Sequence, residues 1–379
     1  MPYKIAFLSK YPPLEGGIAA KTYWLARGLA ARGHMVHVIT HGISAGREYR
    51  IQGGERSPAT MSNLWVHRPP DEIPWHIPED NEHALALLDL TINVIREHAI
   101  QILDTGYLVP YGIIGHLAKE STGVYHIVRH GGSDLEKFLK RQVLGTVLSE
   151  AIAHADVVVT GKSNQKLLGT MASHLVYQPA YVPDGEAFAP SNAPRPRLRL
   201  AVIGKVNYYW QHKSLHFIAD VMRQLTGQFE CWIVGQGKGM ADFQQSLEPE
   251  TVSSFKWRPF VAPWEMPHLL NQLDGIFIFE LGLPHPVVSN LALEAICSGV
   301  GIITDRADFA ETYLDIMKID KNQVMVVSPS ESSSAAEMIS QWVEDRAHIE
   351  QQPRQVISYQ EYLSVNESTY TNLLNGSQS

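Results

Sequence analysis

The amino-acid sequence predicts an α/β protein built from two Rossmann-like, doubly wound domains that face each other across a crevice. Along most of the 379 residues, short apolar runs alternate with longer amphipathic segments, which is the pattern of parallel strands joined by crossover helices. The alternation stops once, over a stretch with four prolines at 182–197, and then starts again. Runs such as GIFIF at 275–279 are apolar throughout, as in strands that helices cover on both faces.

These patterns divide the chain into an N-terminal domain at 1–183, a linker at 184–197, a second domain at 198–350 and C-terminal helices at 351–379. Because open α/β sheets bind ligands beyond the carboxyl ends of their strands, the functional residues are expected in loops that follow strands. Strands are predicted at 3–9, 35–40, 64–67, 100–103, 124–128 and 156–160, and then at 198–204, 229–234, 253–257, 275–279, 300–304 and 324–327. Helices are predicted at 17–33, 80–98, 111–120, 135–154 and 163–171, and then at 213–225, 238–246, 264–272, 290–298 and 332–347.

The charge balance argues against nucleic acid as a partner. Lys and Arg number 31 against 39 Asp and Glu, for a net charge of −8, whereas a nucleic-acid binder is basic overall or over one domain. Residues 1–185 hold 17 basic and 17 acidic side chains, so the acidic excess lies wholly in the second half. The neutral first half predicts at most a peripheral contact with a membrane.

The two cysteines and the N-terminus predict a cytoplasmic protein. Cys231 and Cys297 lie far apart in apolar surroundings, which excludes a disulfide framework or a cysteine zinc site and favours buried free thiols. The first apolar run is shorter than the roughly 7–15 residues of a signal peptide. No run approaches the roughly 18 apolar residues of a spanning helix.

The loop after the first strand contains Gly16 and Gly17, directly before a predicted helix. Adjacent glycines let the backbone approach a ligand closely, and the free N–H groups of a helix start suit phosphate or a sugar hydroxyl. The spacing matches neither a dinucleotide fingerprint nor a P-loop. A tight turn and a ligand contact therefore both remain open here.

Two lysines frame the corresponding loop of the second domain. Lys205 follows the strand at 198–204, and Lys213 lies where the next helix is predicted to begin. Both would reach the rim of the crevice, where they could neutralise a diphosphate. The alternative is a pair of solvated surface lysines.

A third loop leads from the strand at 275–279 into the helix at 290–298. Ser289 or Asn290 is a natural N-cap, and Glu294 follows within the first turns. The helix start offers backbone donors and the positive end of a dipole to an anionic group, and Glu294 could accept from vicinal hydroxyls. An ordinary capped helix with an exposed glutamate is the alternative.

In chain order, the motifs resemble those of family 4 glycosyltransferases of the GT-B fold, over nearly the whole length. The first domain contributes the strand, Gly-Gly loop, helix and Gly-His-x-Val strand of KIAFLSKYPPLEGGIAAKTYWLARGLAARGHMVHVIT, followed by HADVVVTGKSNQKLL and VPDGEAF. The second contributes VIGK, WIVGQGKG, RPFVAPWEMPHLLNQLDGIFIF and SNLALEAICSGVGIIT. The resemblance implies a retaining transfer of a sugar from a nucleotide-diphosphate sugar to an acceptor hydroxyl.

The resemblance also implies roles for individual residues. Lys205 and Lys213 would hold the diphosphate and stabilise its departure, with Lys205 in place of the more usual arginine, and Glu294 would bind the donor ribose. Backbone N–H groups that contact the phosphates would come from Ser289, Asn290 and Leu291. These fixed cations would make a metal unnecessary, and no Asp-x-Asp triplet occurs in the chain. No cofactor is expected.

Two positions depart from the family pattern. Family members usually carry a second glutamate eight residues before the one at Glu294, but Pro286 stands there, and neither Glu280 nor His285 is at the matching position. His130, in a segment one residue longer than the usual His-Gly-x-Asp, is the expected catalytic residue of the first domain. Because of Pro286, two alternatives stay open: a nucleotide-sugar epimerase and a catalytically weak nucleotide-sugar binder. The base, the sugar and the acceptor, whether a saccharide, a lipid-linked sugar or a small molecule, are not specified.

Overall fold

The computed structural model describes residues 2–42, 50–51, 61–70, 79–131, 133–191, 197–207, 210–279, 288–313, 316–346 and 355–376. Five predicted linker positions, 192–196, lie outside these ranges, as do Glu280, His285 and Pro286. None of the helices in the described ranges combines the length and the apolarity that crossing a membrane requires.

The first domain is a seven-stranded parallel sheet in the order β3-β2-β1-β4-β5-β6-β7. Its strands are β1 Lys4–Leu8, β2 Met35–Ile39, β3 Leu64–His67, β4 Ile102–Thr105, β5 Tyr125–Arg129, β6 Val157–Thr160 and β7 Leu175–Tyr177. Its helices are α1 Gly17–Ala31, α2 Glu79–His98, α3 Ile113–Thr122, α4 Ser133–Phe138, α5 Gln142–Ala153 and α6 Gln165–Leu168.

The second domain is a six-stranded parallel sheet in the order β10-β9-β8-β11-β12-β13. Its strands are β8 Arg199–Ile203, β9 Glu230–Val234, β10 Lys256–Arg258, β11 Gly275–Ile278, β12 Gly301–Thr304 and β13 Val324–Val326. Its helices are α7 Leu215–Leu225, α8 Met240–Gln245, α9 Pro249–Ser254, α10 Met266–Leu270, α11 Asn290–Cys297, α12 Phe309–Tyr313 and α13 Ser332–Arg346, and α14 Tyr359–Gly376 follows them. The predicted class, two doubly wound Rossmann-like domains, is confirmed.

Some elements differ from the prediction. The helix predicted at 135–154 is two helices, because the backbone is extended at Arg141 (φ −83°, ψ 126°). The strand predicted at 100–103 lies two residues later, at β4, which places Asp104 inside the sheet. The short β7, α9 and α12 carry too few periodic residues to be predicted.

One hydrophobic core contains residues of both domains. The ring of Tyr23 in α1 lies 5.1 Å from that of Trp264, and the ring of Trp24 lies 5.5 Å from that of Phe188. The last helix, α14, packs on the first domain, where the Tyr359 hydroxyl donates to the Trp24 carbonyl at 2.6 Å. The contact between Tyr23 and Trp264 joins α1 to the second domain.

Candidate functional site

The loop that contains Gly16 and Gly17 contacts the second domain. Gly16 has φ +134°, which favours glycine, and a Cβ there would lie 3.0 Å from Lys205 Nζ. A Cβ on Gly17 would lie 3.1 Å from Asn290 Nδ2, and that amide donates to the Gly17 carbonyl at 2.6 Å. The two glycines and two of the predicted donor residues of the second domain therefore lie side by side.

Three lysines and one glutamate gather at this point. Lys205 Nζ lies 3.1 Å from Glu15 Oε2, and Lys213 Nζ donates to the Lys205 carbonyl at 3.3 Å. Burial lowers the pKa of Lys10, and the charge of Lys205 lowers it further. Burial raises the pKa of Glu15, whereas the charges of the three lysines oppose that rise. The arrangement is a cationic cradle with one carboxylate in it.

The start of α11 faces the same region. The Ser289 hydroxyl caps the helix by accepting from the Ala292 N–H at 3.4 Å, as predicted from its residue type. The Ser289 N–H donates to the Tyr313 hydroxyl at 3.0 Å, so it has a protein partner in this state. Leu291 is half-buried and packs against the core that both domains share.

Glu294 is buried in the second turn of α11, with 3% of its surface exposed. Its Oε1 accepts a hydrogen bond of 3.0 Å from the hydroxyl of Tyr181, in the first domain. Burial raises the pKa of Glu294 to about 8, and the bond from Tyr181 opposes that rise. The exposed glutamate considered as an alternative is therefore wrong, and Glu294 joins the two domains in this state.

His130 lies in a cleft of the first domain, directly after β5. Its Nε2 lies 2.8 Å from Thr160 Oγ1. Burial lowers the pKa of His130 to about 4, and the nearby charge of Lys21 contributes. The imidazole is therefore neutral near pH 7, so it can donate or accept a hydrogen bond without carrying charge.

Sequence reasoning missed four residues of the site: Lys10, Glu15, Lys21 and Tyr181. Lys10 and Glu15 belong to the glycine loop, but no sequence pattern tells that their charges would face Lys205. Lys21 left a usable signal, because it stands three residues after Ile18 and four before Leu25, on the apolar side of α1. Tyr181 is a contact that only the folded chain creates.

One group of side chains in the described part of the chain could hold a metal ion. It consists of His37, His67 and His98, whose ligand atoms lie within 4.8 Å of one another. His37 stands in the middle of β2, and its Nδ1 lies 2.9 Å from His67 Nε2. The group belongs to the sheet and the end of α2 rather than to the loop of Gly16 and Lys205.

Comparison with known proteins identifies the first domain. Residues 16–163 match the family described as "Glycosyl transferase 4-like domain". This segment contains Gly16, Gly17 and His130. No curated protein matches the chain in sequence.

Comparison with solved structures covers both domains. Sucrose-phosphate synthase of Thermosynechococcus elongatus superposes with a TM-score of 0.69 at 13% identity, over 99% of this chain and 100% of that one. Anabaena HepE, solved with UDP and glucose, gives 0.59 at 15% identity over 91% and 93% of the two chains. A glycosyltransferase of Rickettsia africae gives 0.59 at 14% identity over 98% and 99%.

At these identities the structural likeness establishes the fold, and the family match covers residues 16–163 of the first domain. The resemblance noted in the sequence motifs is thereby confirmed. The chain has the GT-B fold, and its residues 16–163 match the glycosyl transferase 4-like domain.

Proposed function

We propose that this protein is a retaining glycosyltransferase that moves a sugar from a nucleotide-diphosphate sugar to an acceptor hydroxyl. The observation that carries the proposal is the cationic cradle of Lys10, Lys205 and Lys213 against Gly16. Glu15 already occupies it with a carboxylate. A diphosphate would bring more negative charge to the same cations.

Donor binding is assigned to the second domain and the glycine loop. Lys205 and Lys213 would hold the diphosphate, while Gly16 and Gly17 leave room for it because neither has a side chain. The backbone at the start of α11 would add N–H donors from Ser289, Asn290 and Leu291. For the Ser289 N–H this requires release of its bond to Tyr313.

The ribose is assigned to Glu294. An ionised carboxylate can accept a hydrogen bond at each of its two oxygens, which suits two vicinal hydroxyls. In this state the carboxyl is buried against Tyr181 and its pKa is about 8. Donor binding would therefore require the Tyr181 contact to open, which is a hinge motion between the two domains.

The chemical step would break the bond between the anomeric carbon and the diphosphate oxygen. The acceptor oxygen would bond to that carbon on the face that the diphosphate leaves, and its proton would pass to a phosphate oxygen. Lys205 and Lys213 would stabilise the charge that builds on the leaving group. The neutral His130 would hydrogen-bond the transferred sugar or orient the acceptor. These cations would serve without a metal, so transfer is expected to persist in EDTA.

The experiment is a thermal-shift panel of nucleoside diphosphates and their sugars, with UDP and UDP-glucose included because Anabaena HepE was solved with UDP-glucose. The best binder is then incubated with mixed saccharide acceptors, and products are identified by mass spectrometry and by the anomeric configuration in NMR spectra. A glycoside of retained configuration is expected. Release of an epimerised sugar without acceptor, or binding without any product, would contradict the proposal.

A further inference from the structure

We infer that the cleft beside His130 binds a carboxylate or phosphate group that the acceptor carries. That the bound group belongs to an acceptor rests on the proposed function, whereas the anion site itself is inferred from the geometry of the first domain. The substrate class is then that of negatively charged acceptors, which the sequence alone does not specify.

The cleft lies between α1 and the carboxyl ends of β5 and β6. It is small and open to solvent, and the centres of water-sized molecules can occupy about 20 Å³ of it. The polar side chains that line it are Lys21, Arg129, His130, Thr160 and Gln178. All five belong to the first domain, and none belongs to the donor cradle.

Three polar atoms of this lining have no protein partner among the described residues. Lys21 is only 6% exposed, and the structure records neither a hydrogen bond nor an ion pair for its ammonium group. Arg129 is 2% exposed and its Nη1 is buried without a partner. Gln178 is 6% exposed, and its Oε1 is also buried without a partner. Buried polar atoms without a partner are costly, so those of Arg129 and Gln178, together with the nearby ammonium group of Lys21, indicate a ligand.

The nearby carboxylates do not neutralise Lys21 directly. Asp104 accepts from Arg129 Nε at 2.7 Å, from Arg129 Nη2 at 2.8 Å and from the Tyr370 hydroxyl at 3.0 Å. Asp134 accepts from the backbone N–H groups of Leu108 and Gly131. Burial and the charge of Arg129 together lower the pKa of Lys21 to about 8, and the charges of Asp104 and Asp134 oppose that fall. A bound anion would offset both effects.

The position of the cleft suits an acceptor. Gly17, which contacts Asn290 of the donor domain, begins α1, and Lys21 lies four residues later on the same helix. Residues at this spacing share one face and lie about 6 Å apart along the axis. An acceptor anchored at Lys21 would thus reach toward the donor cradle, with His130 beside its bound group.

The donors and the acceptor in the cleft specify the ligand further. Lys21 Nζ and Arg129 Nη1 are donors that match the oxygens of a carboxylate or phosphate, and Gln178 Oε1 accepts from a neighbouring hydroxyl. A sugar acid or a sugar phosphate has both groups. A neutral sugar would leave the charge of Lys21 without a counter-charge.

The first test measures anion binding without any reaction. Inorganic phosphate is titrated at constant ionic strength into Lys205→Ala protein, which weakens binding at the donor cradle, and the melting temperature is followed. We expect a saturable rise that adding Lys21→Met abolishes and adding Lys21→Arg retains. The control Lys166→Met removes an exposed lysine of the same domain and should keep the rise. An equal response with Lys21→Met would overturn the site.

The second test compares acceptors matched in all but charge, glucuronate against glucose and glucose 6-phosphate against glucose. With the best donor we expect kcat/KM to favour the anionic member by about 10-fold to 100-fold, the range of a hydrogen-bonded charge. Lys21→Met should lose this preference, and Lys166→Met should keep it.

The outcomes separate the two proposals. Transfer without preference for the charged acceptors would overturn the anion site and leave the glycosyltransferase proposal standing. Phosphate binding that depends on Lys21, in a protein that transfers to no acceptor, would overturn the proposed function and leave the anion site.

Discussion

The two domains share a sheet topology but differ in how many charged side chains they bury. When strands are numbered within each domain, both sheets have the order 3-2-1-4-5-6, and the first sheet has β7 as an additional edge strand. Among the described residues, the second domain buries one Asp, Glu, Lys, Arg or His side chain, Glu294. The first domain buries eight, namely Lys21, His34, His37, Asp104, His126, Arg129, His130 and Asp134.

The contrast runs opposite to the net charges of the two halves. The second half holds the whole acidic excess of the sequence, yet Glu294 is the one charged side chain that its domain buries among the described residues. The first half is neutral overall and places charges inside, where α14 satisfies several of them: Arg129 Nη2 donates to Asn366 at 2.6 Å, and Tyr370 donates to Asp104 at 3.0 Å. Net charge therefore says little about where a domain builds a polar site.

The largest predicted effect breaks the buried pair of the first domain. Arg129→Met leaves Asp104 buried without its cation and should lower the free energy of unfolding by about 3–5 kcal/mol. The surface pair of the second domain, Arg199 with Glu230 at 2.9 Å, is the control, and Arg199→Met should cost about 1 kcal/mol or less. Urea denaturation measures both, and equal losses would mean that burial does not distinguish the domains.

The next prediction concerns Lys205, a half-buried cation of the second domain. Lys205→Ala should lower turnover by a factor of about 100–1000, the effect of removing one group that stabilises the transition state. Lys256→Ala removes an exposed lysine of the same domain and should leave turnover unchanged. Steady-state kinetics at saturating donor measures the change, and full activity of Lys205→Ala would remove Lys205 from the mechanism.

Glu294, the one buried Asp, Glu, Lys, Arg or His among the described residues of the second domain, should make stability depend on pH. Its folded pKa of about 8 lies above the ordinary value of 4.5, so between these pH values the folded state holds a proton that the unfolded state lacks. The stabilisation is complete below pH 4.5 and is lost as pH rises through 8, with a slope of at most about 1.4 kcal/mol per pH unit.

Glu294→Gln should flatten the pH dependence of the melting temperature, because glutamine still accepts from Tyr181 but does not ionise. Glu344→Gln removes an exposed glutamate and should leave the slope as it is. If the slopes of wild type and Glu294→Gln coincide, the buried carboxyl is ionised in both states.

The smallest predicted effect concerns the loop where the domains meet. Glu15→Gln removes the carboxylate that competes for Lys205, and since a partly exposed ion pair contributes at most about 1 kcal/mol, donor affinity should rise up to about 5-fold. Isothermal titration measures this, with Glu250→Gln, at an exposed position, as control. Weaker donor binding in Glu15→Gln would instead make Glu15 a donor ligand.

Much of the site could be predicted from the sequence. Short motifs after strands placed Gly16, Gly17, Lys205 and Asn290 in separate loops, and the parallel topology brings such loops to one edge of each sheet. The contacts within the site could not be predicted, because the pair Glu15–Lys205 and the pair Tyr181–Glu294 each join residues of different domains. Nothing in the local pattern at Glu294 distinguishes an exposed capping-turn glutamate from a buried one.

By itself, the sequence determined the two doubly wound domains and the order of their main strands, because apolar periodicity and strand-loop-helix alternation are local properties. It also determined which residue types stand in the loops that follow strands. Only the tertiary structure decided which charges are buried and which are paired. Lys21 becomes a buried cation facing a cleft because α1, β5, β6 and residues after β7 close around it, and that packing depends on segments more than 100 residues apart in the chain.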